Sequence, residues 1–191
     1  MVEFLKDTHT YLVDGIIVPS VSTILSQTLF ADKYKDVPDF ILQRAKEFGT
    51  AIHHAIEHEN DENLTDEQSV VYQRWLELKA NYNIKAVEQE QIIHLGYDYA
   101  GTFDMMAEID GELCLVDIKT TYNLDKEYLS WQLSLYAHAK QFGGKLVAIW
   151  LPKRKGAELV VIDPKPHYEI EKLLEVYHAL QENTNDLHTE W

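Results

Sequence analysis

The stretch Gly101–Thr121, GTFDMMAEIDGELCLVDIKTT, admits few structures. Two apolar-rich runs flank Asp110-Gly111, and Asp-Gly suits a two-residue turn in which both residues take positive φ. A hairpin closed there faces Ile109 with Glu112, and the numbers of every facing pair sum to 221. Asp104 and Asp117 then face each other, with β-carbons about 5 Å apart. Side chains alternate along a strand, so Asp104, Met106, Leu115, Asp117 and Lys119 share one face. Phe103, Met105, Ala107, Cys114, Val116 and Ile118 take the other, an apolar face expected to be the buried one. Two carboxylates so close repel by roughly 3 kcal/mol at an effective dielectric near 20. A fold tolerates this if one acid stays protonated or a cation lies between them.

The rest of the chain supplies elements to pack on this hairpin. A second Asp-Gly turn, Asp14-Gly15, predicts a hairpin over Thr10–Ser20, after which Ser20 or Ser22 caps a short helix to about Gln27. Ile41, Ala45, Phe48, Ile52 and Ile56 step by four and three, so a helix over about Pro38–Glu59 buries one stripe. Thr65 followed by Gln68 has the form of a capping box, opening a helix to about Tyr82 that buries Val71, Trp75 and Leu78. Strands are expected at Ala86–His94, Tyr99–Ile109, Glu112–Thr120, Leu146–Leu151 and Glu158–Ile162. Helices are expected at Leu124–Gln141, ended by Gly143-Gly144, and from Pro166 to about Glu182. The order implies a single α/β domain over residues 1–191, with a central sheet that starts antiparallel.

Charge limits function. The formal net charge is -15, which opposes a strong non-specific grip on nucleic acid, because phosphate contacts need Lys and Arg. The basic residues cluster as Lys153-Arg154-Lys155, as Arg44 and Lys46 on one helix, and as Lys126. One cysteine excludes an internal disulfide and a cysteine-held iron–sulfur cluster. No apolar run reaches the roughly 20 residues of a membrane helix, and the N-terminus lacks a signal-peptide pattern, so the expected compartment is the cytoplasm.

Gly101-Thr102-Phe103-Asp104 and Val116-Asp117-Ile118-Lys119 together resemble the G-x-x-D and D-x-K signatures of the PD-(D/E)XK nuclease superfamily. Gly49-Thr50-Ala51-Ile52-His53 before the sheet, and the Q-x-x-x-Y pattern of Gln132 and Tyr136 just after D-x-K, resemble its RecB-like branch. That branch includes phage-type, lambda-exonuclease-like enzymes. The segment His9–Thr23 is similar to phage members as well.

The resemblance implies a restriction-endonuclease-like mixed sheet flanked by helices, preceded by an N-terminal hairpin and helices. It also implies metal-dependent DNA exonuclease activity in recombination or repair. In that reading Asp104, Asp117, His53 and the Ile118 carbonyl hold Mg²⁺ or Mn²⁺, and Lys119 acts on the attacking water or the phosphate. Gln132, Tyr136 and Gly49 contact DNA, as do the basic residues Lys153, Arg154 and Lys155. Either Glu88 or Glu90 supplies a further acid, and His54 is an alternative to His53. The rival expectations are a structure-selective endonuclease on the same fold and a binding module with a vestigial metal site. DNA is the expected partner, aided by a homo-oligomer or a recombination protein. No membrane partner is expected.

Overall fold

In the computed structural model, which describes residues 1–186, strands and helices follow the order β1 Val2–Leu5, β2 Thr10–Val13, β3 Ile16–Val18, α1 Val21–Gln27, α2 Asp39–His58 and α3 Asp66–Asn81. Then come β4 Lys85–Leu95, β5 Tyr99–Ile109, β6 Glu112–Lys119, α4 Lys126–Lys140, β7 Lys145–Trp150, β8 Glu158–Ile162 and α5 His167–Asp186. Strands β4 to β8 form a five-stranded sheet in sequence order, antiparallel except for the parallel β6–β7 pair. The crossover between β6 and β7 is α4, as a parallel pair requires. Strands β1 to β3 make a separate antiparallel sheet. Of residues 1–191, expected to be one domain, 187–191 lie outside the described ones.

Both Asp-Gly turns form, with positive φ at Asp14 and Gly15 and at Asp110 and Gly111. Ser20 caps α1, and Thr65 and Gln68 complete the capping box of α3. Strand β1 was not anticipated: its four residues pair with β2 as a third strand beside the expected hairpin. Helix α4 ends at Gln141, which takes the left-handed conformation, rather than at the glycine pair Gly143-Gly144. The expected stripe on α2 is buried only from Phe48 onward, through Ile52, Ala55 and Ile56. Ile41 and Ala45 are exposed, because the first turns of the helix run past the edge of the sheet layer.

The central sheet is covered on both faces. Helices α2 and α3 pack Phe48, Ile52 and Trp75 with Met105, Val116 and Ile149. On the opposite face α1, α4 and α5 pack Ile24, Leu133 and Leu173 with Met106, Leu115 and Ala148. The face that carries the acids is therefore not an open polar surface: α4 covers it, and Asp117 keeps only 3% of its surface exposed.

The hairpin register matches the sequence as far as Met105↔Val116. There the ladder stops, and Phe103 packs with Met106 and Leu115 rather than with Met105. Strand β5 thus exchanges its faces at Asp104. The neighbouring strand does the same: Glu90 has φ 47, and the β4–β5 ladder passes from Gln89↔Met105 to Gln91↔Phe103 without a Glu90–Asp104 pair. A non-glycine residue at positive φ inside a strand is uncommon and marks a local distortion with a purpose.

Candidate active site

The face exchange aims the Asp104 carboxylate at three elements at once. Its Oδ2 accepts the Ile118 amide at 2.6 Å, taking the place of the next ladder bond between β5 and β6. Its Oδ1 lies 3.5 Å from Nδ1 of His53, which α2 brings over the sheet. Nε2 of the same histidine donates to the Ile118 carbonyl at 3.0 Å. With Nε2 donating to the carbonyl and Nδ1 facing a carboxylate, the surroundings favour the protonated imidazole. Burial works against that charge, but the Asp104 carboxylate outweighs it and raises the His53 pKa to about 9. Burial likewise opposes ionisation of Asp104, yet the His53 and Lys119 charges and the Ile118 amide keep its carboxyl below the usual range.

Glu90 completes the group. Ligand atoms of His53, Glu90 and Asp104 all lie within 4.8 Å of one another. Burial, and then the charge of Asp104, push the Glu90 carboxyl up to about 7, although much of the side chain still reaches solvent. Of the two candidate acids, the structure brings Glu90 to the site. Glu88 instead pairs with Lys140 at 2.7 Å. His54 points elsewhere and stacks on His58, with ring centroids 4.2 Å apart.

Asp117 stands beside this trio on β6. Burial raises its carboxyl to about 6, with Lys119 opposing and Asp104 reinforcing the rise. Lys119 Nζ lies 2.7 Å from Asp117 Oδ2, but the angle gives that buried oxygen no well-directed hydrogen bond. The lysine stays charged, because the two aspartates outweigh its burial. The expected set was Asp104, Asp117, His53 and the Ile118 carbonyl. The structure groups Asp104 with His53 and Glu90, gives the Ile118 carbonyl to His53, and gives Asp117 to Lys119.

This donor set fits a hard divalent cation. Carboxylate oxygens with one imidazole suit Mg²⁺ or Mn²⁺. Burial, reinforced by the charge of Asp104, raises the Glu90 and Asp117 carboxyls and leaves one Asp117 oxygen under-satisfied, and a cation among them would favour their ionised forms.

A cleft of about 590 Å³ opens from Glu90, with Gln132 and Tyr136 in its wall beside Ser20 and Lys6. Gln132 Nε2 donates to the Tyr136 hydroxyl at 3.1 Å, while its Oε1 is buried without a partner. Gly101 makes this packing possible: a methyl there would meet Tyr136 Cε1 at 2.7 Å and Val21 Cγ2 at 3.3 Å. Gly101→Ala is therefore expected to displace the tyrosine ring and cost about 1–3 kcal/mol of stability. Denaturant titration checks this, and a variant as stable as the parent would refute the close-approach role. Gly49 has a similar use, since a methyl there would lie 3.2 Å from Thr120 Oγ1 and hold α2 away from the end of β6.

The basic loop Lys153-Arg154-Lys155 is near the same end of the sheet. Lys153 pairs with Glu67, and Lys155 lies over the Tyr122 and Trp150 rings. Lys46 and Lys126 line other depressions.

No protein-family model matches the sequence, and no curated protein matches it. Among solved structures, the chain is similar to the crystal structure of SSO0001, with a TM-score of 0.52 and 19% identity over 86% of this chain and 76% of that one. The likeness is one of fold: a mixed α/β architecture with its sheet between helical layers. No helix of the described residues is long and apolar enough to cross a membrane.

Proposed function

We propose that this chain is a metal-dependent DNA exonuclease of the PD-(D/E)XK superfamily, in its RecB-like, lambda-exonuclease-like branch. The reading places it in the cytoplasm, in recombination or repair. It rests on one observation: Asp104, Glu90 and His53 converge within 4.8 Å beside a buried Asp117–Lys119 pair. Helix α2 and the three consecutive strands β4, β5 and β6 together bring three acids into one place.

When bound, Mg²⁺ or Mn²⁺ supplies charge to polarise a scissile phosphate and a water of lowered pKa. Asp104 and Glu90 would hold it, with His53 as the nitrogen donor. The histidine must first give up the Nδ1 proton that faces Asp104, so cation binding releases a proton. Asp117 adds negative charge and aims Lys119. The Lys119 ammonium, kept protonated, is the group that meets charge developing on the phosphate. Gln132 and Tyr136 offer the cleft a buried acceptor and an adjacent hydroxyl for positioning the strand.

The experiment is digestion of end-labelled linear DNA and of covalently closed circular DNA, with Mg²⁺, Mn²⁺ or chelator. Exonuclease action predicts release of label from linear DNA alone, and only with metal. Cleavage of the circle would assign an endonuclease, and no cleavage of either substrate would sink the reading. Mn²⁺ is expected to support cleavage at least as well as Mg²⁺, because it accepts imidazole among oxygen ligands more readily. His53→Ala is expected to weaken metal affinity about tenfold or more. An unchanged calorimetric titration of that variant would remove the histidine from the ligand set.

A further inference from the structure

One residue past Lys119, the chain enters a second depression, of about 350 Å³, walled by Thr120, Thr121 and Tyr122, by Phe40 and Arg44 from the start of α2, and by Arg154. Its composition is unusual for this molecule. Phe40 is 65% exposed and Tyr122 is 70% exposed, although both are large aromatic rings. The guanidinium groups of Arg44 and Arg154 have no partner among the described residues. In a chain with a formal charge of -15, two unpaired arginines beside two exposed rings form a local exception.

The walls are firmly held. Arg74 on α3 donates to the carbonyls of Pro152, Lys153 and Lys155 at 3.1, 3.2 and 2.6 Å, which fixes the loop bearing Arg154. Trp150 Nε1 donates to the Thr121 carbonyl at 2.8 Å, which fixes the turn bearing Tyr122. This preorganisation lowers the ordering cost of binding. The exposed start of α2 follows from the same arrangement: its apolar face has no sheet beneath it and turns toward the depression.

We propose that this depression binds single-stranded DNA, with a base stacked on Tyr122 and Phe40 and the flanking phosphates on Arg44 and Arg154. Aromatic faces with cations alongside are the chemistry that takes unpaired bases without sequence preference. Charge complementarity favours a phosphate chain over a protein partner here. The inference rests on the nuclease reading only for the direction of the strand, which runs from the Lys119 side of the sheet into the depression. Binding itself requires no cleavage.

The test is anisotropy of a fluorescein-labelled oligothymidylate, with Ca²⁺ present, for the parent chain and its variants. Tyr122→Ala is expected to weaken binding about tenfold, the usual effect of removing one stacking ring, and Tyr122→Phe to retain it. Arg44→Ala should flatten the plot of log K against log salt by about 0.7, the value of one single-strand phosphate contact. Thermal melting of each variant serves as the check on folding.

If Tyr122→Ala binds like the parent, the stacking site is refuted while the nuclease reading stands. If the parent cuts no DNA yet loses oligothymidylate binding with Tyr122→Ala, the nuclease reading fails and the site stands. A parent that does not bind oligothymidylate at all overturns the site. Loss of self-association in Tyr122→Ala by sedimentation, with DNA binding intact, would also overturn it and assign the face to a second copy of the chain.

Discussion

Lys119→Ala is expected to lower single-turnover cleavage about 100-fold or more while leaving metal binding intact or tighter. The reason is in the contacts. Lys119 pairs with Asp117 and with none of the clustered groups His53, Glu90 and Asp104, so its loss removes a positive charge from beside the cation site without removing a donor. Asp117→Asn should behave differently. It preserves shape but removes one of the negative charges that attract a divalent ion, so both metal binding and cleavage should fall. Calorimetric metal titration beside single-turnover digestion separates the two. If Lys119→Ala cuts DNA near the parent rate, the lysine has no catalytic part and the acids need another explanation.

Stability of the chelated protein is expected to fall as pH rises from about 4 to about 9. His53 has its folded pKa raised to about 9, above its usual 6.5, so its stabilisation is complete below 6.5 and is lost as pH passes through 9. Asp117 and Glu90 have folded values raised to about 6 and about 7, so each destabilises the fold as pH rises through its own window. All three have the same sign, because the folded chain holds more protons than the unfolded one. Within the site Asp104 runs the other way, at lower pH, since its carboxyl is depressed. A divalent ion binds the deprotonated groups, so its stabilising effect should grow across the same range. At about 100 times its dissociation constant it adds roughly 2.7 kcal/mol, or about 5–10 °C in Tm for a chain of this size. Melting curves with chelator and with Mn²⁺, between pH 5 and pH 9, test this. A chelated protein that gains stability toward pH 8 would contradict it.

What could be read from the sequence was mostly local. The Asp110-Gly111 turn fixes the β5–β6 register because two residues decide it, and the Thr65 capping box is equally self-contained. The identity of the further acid was not local. Alternation cannot choose between Glu88 and Glu90, because the β4–β5 register shifts between Ala86 and Glu88 and the backbone inverts at Glu90. The face exchange at Asp104 was hidden for a related reason: the run Phe103 to Ala107, apolar except for Asp104, is compatible with either face when helices cover both. Helical periodicity on α2 gave the correct stripe but not where the sheet beneath it ends, so Ile41 was expected inside and lies outside. Phe40 and Arg44 lie four residues apart on α2, but Tyr122 joins them only in three dimensions.

The tight hairpin also has a consequence for the order of folding. Asp104 and Asp117 are joined by a short turn and can meet within microseconds, as isolated hairpins do. Closing the longer loop to His53 costs about 1.2 kcal/mol more in chain entropy, from the logarithmic dependence on loop length. The two like charges therefore approach before the histidine that offsets them arrives, and their repulsion opposes the first native contact. Refolding should accelerate between low and moderate salt, where screening shortens the reach of that repulsion to about 10 Å or less. Asp104→Asn should abolish most of the acceleration in stopped-flow measurements. A negative site of this kind is then a kinetic burden on the nascent chain, and divalent ions in the refolding medium would relieve it.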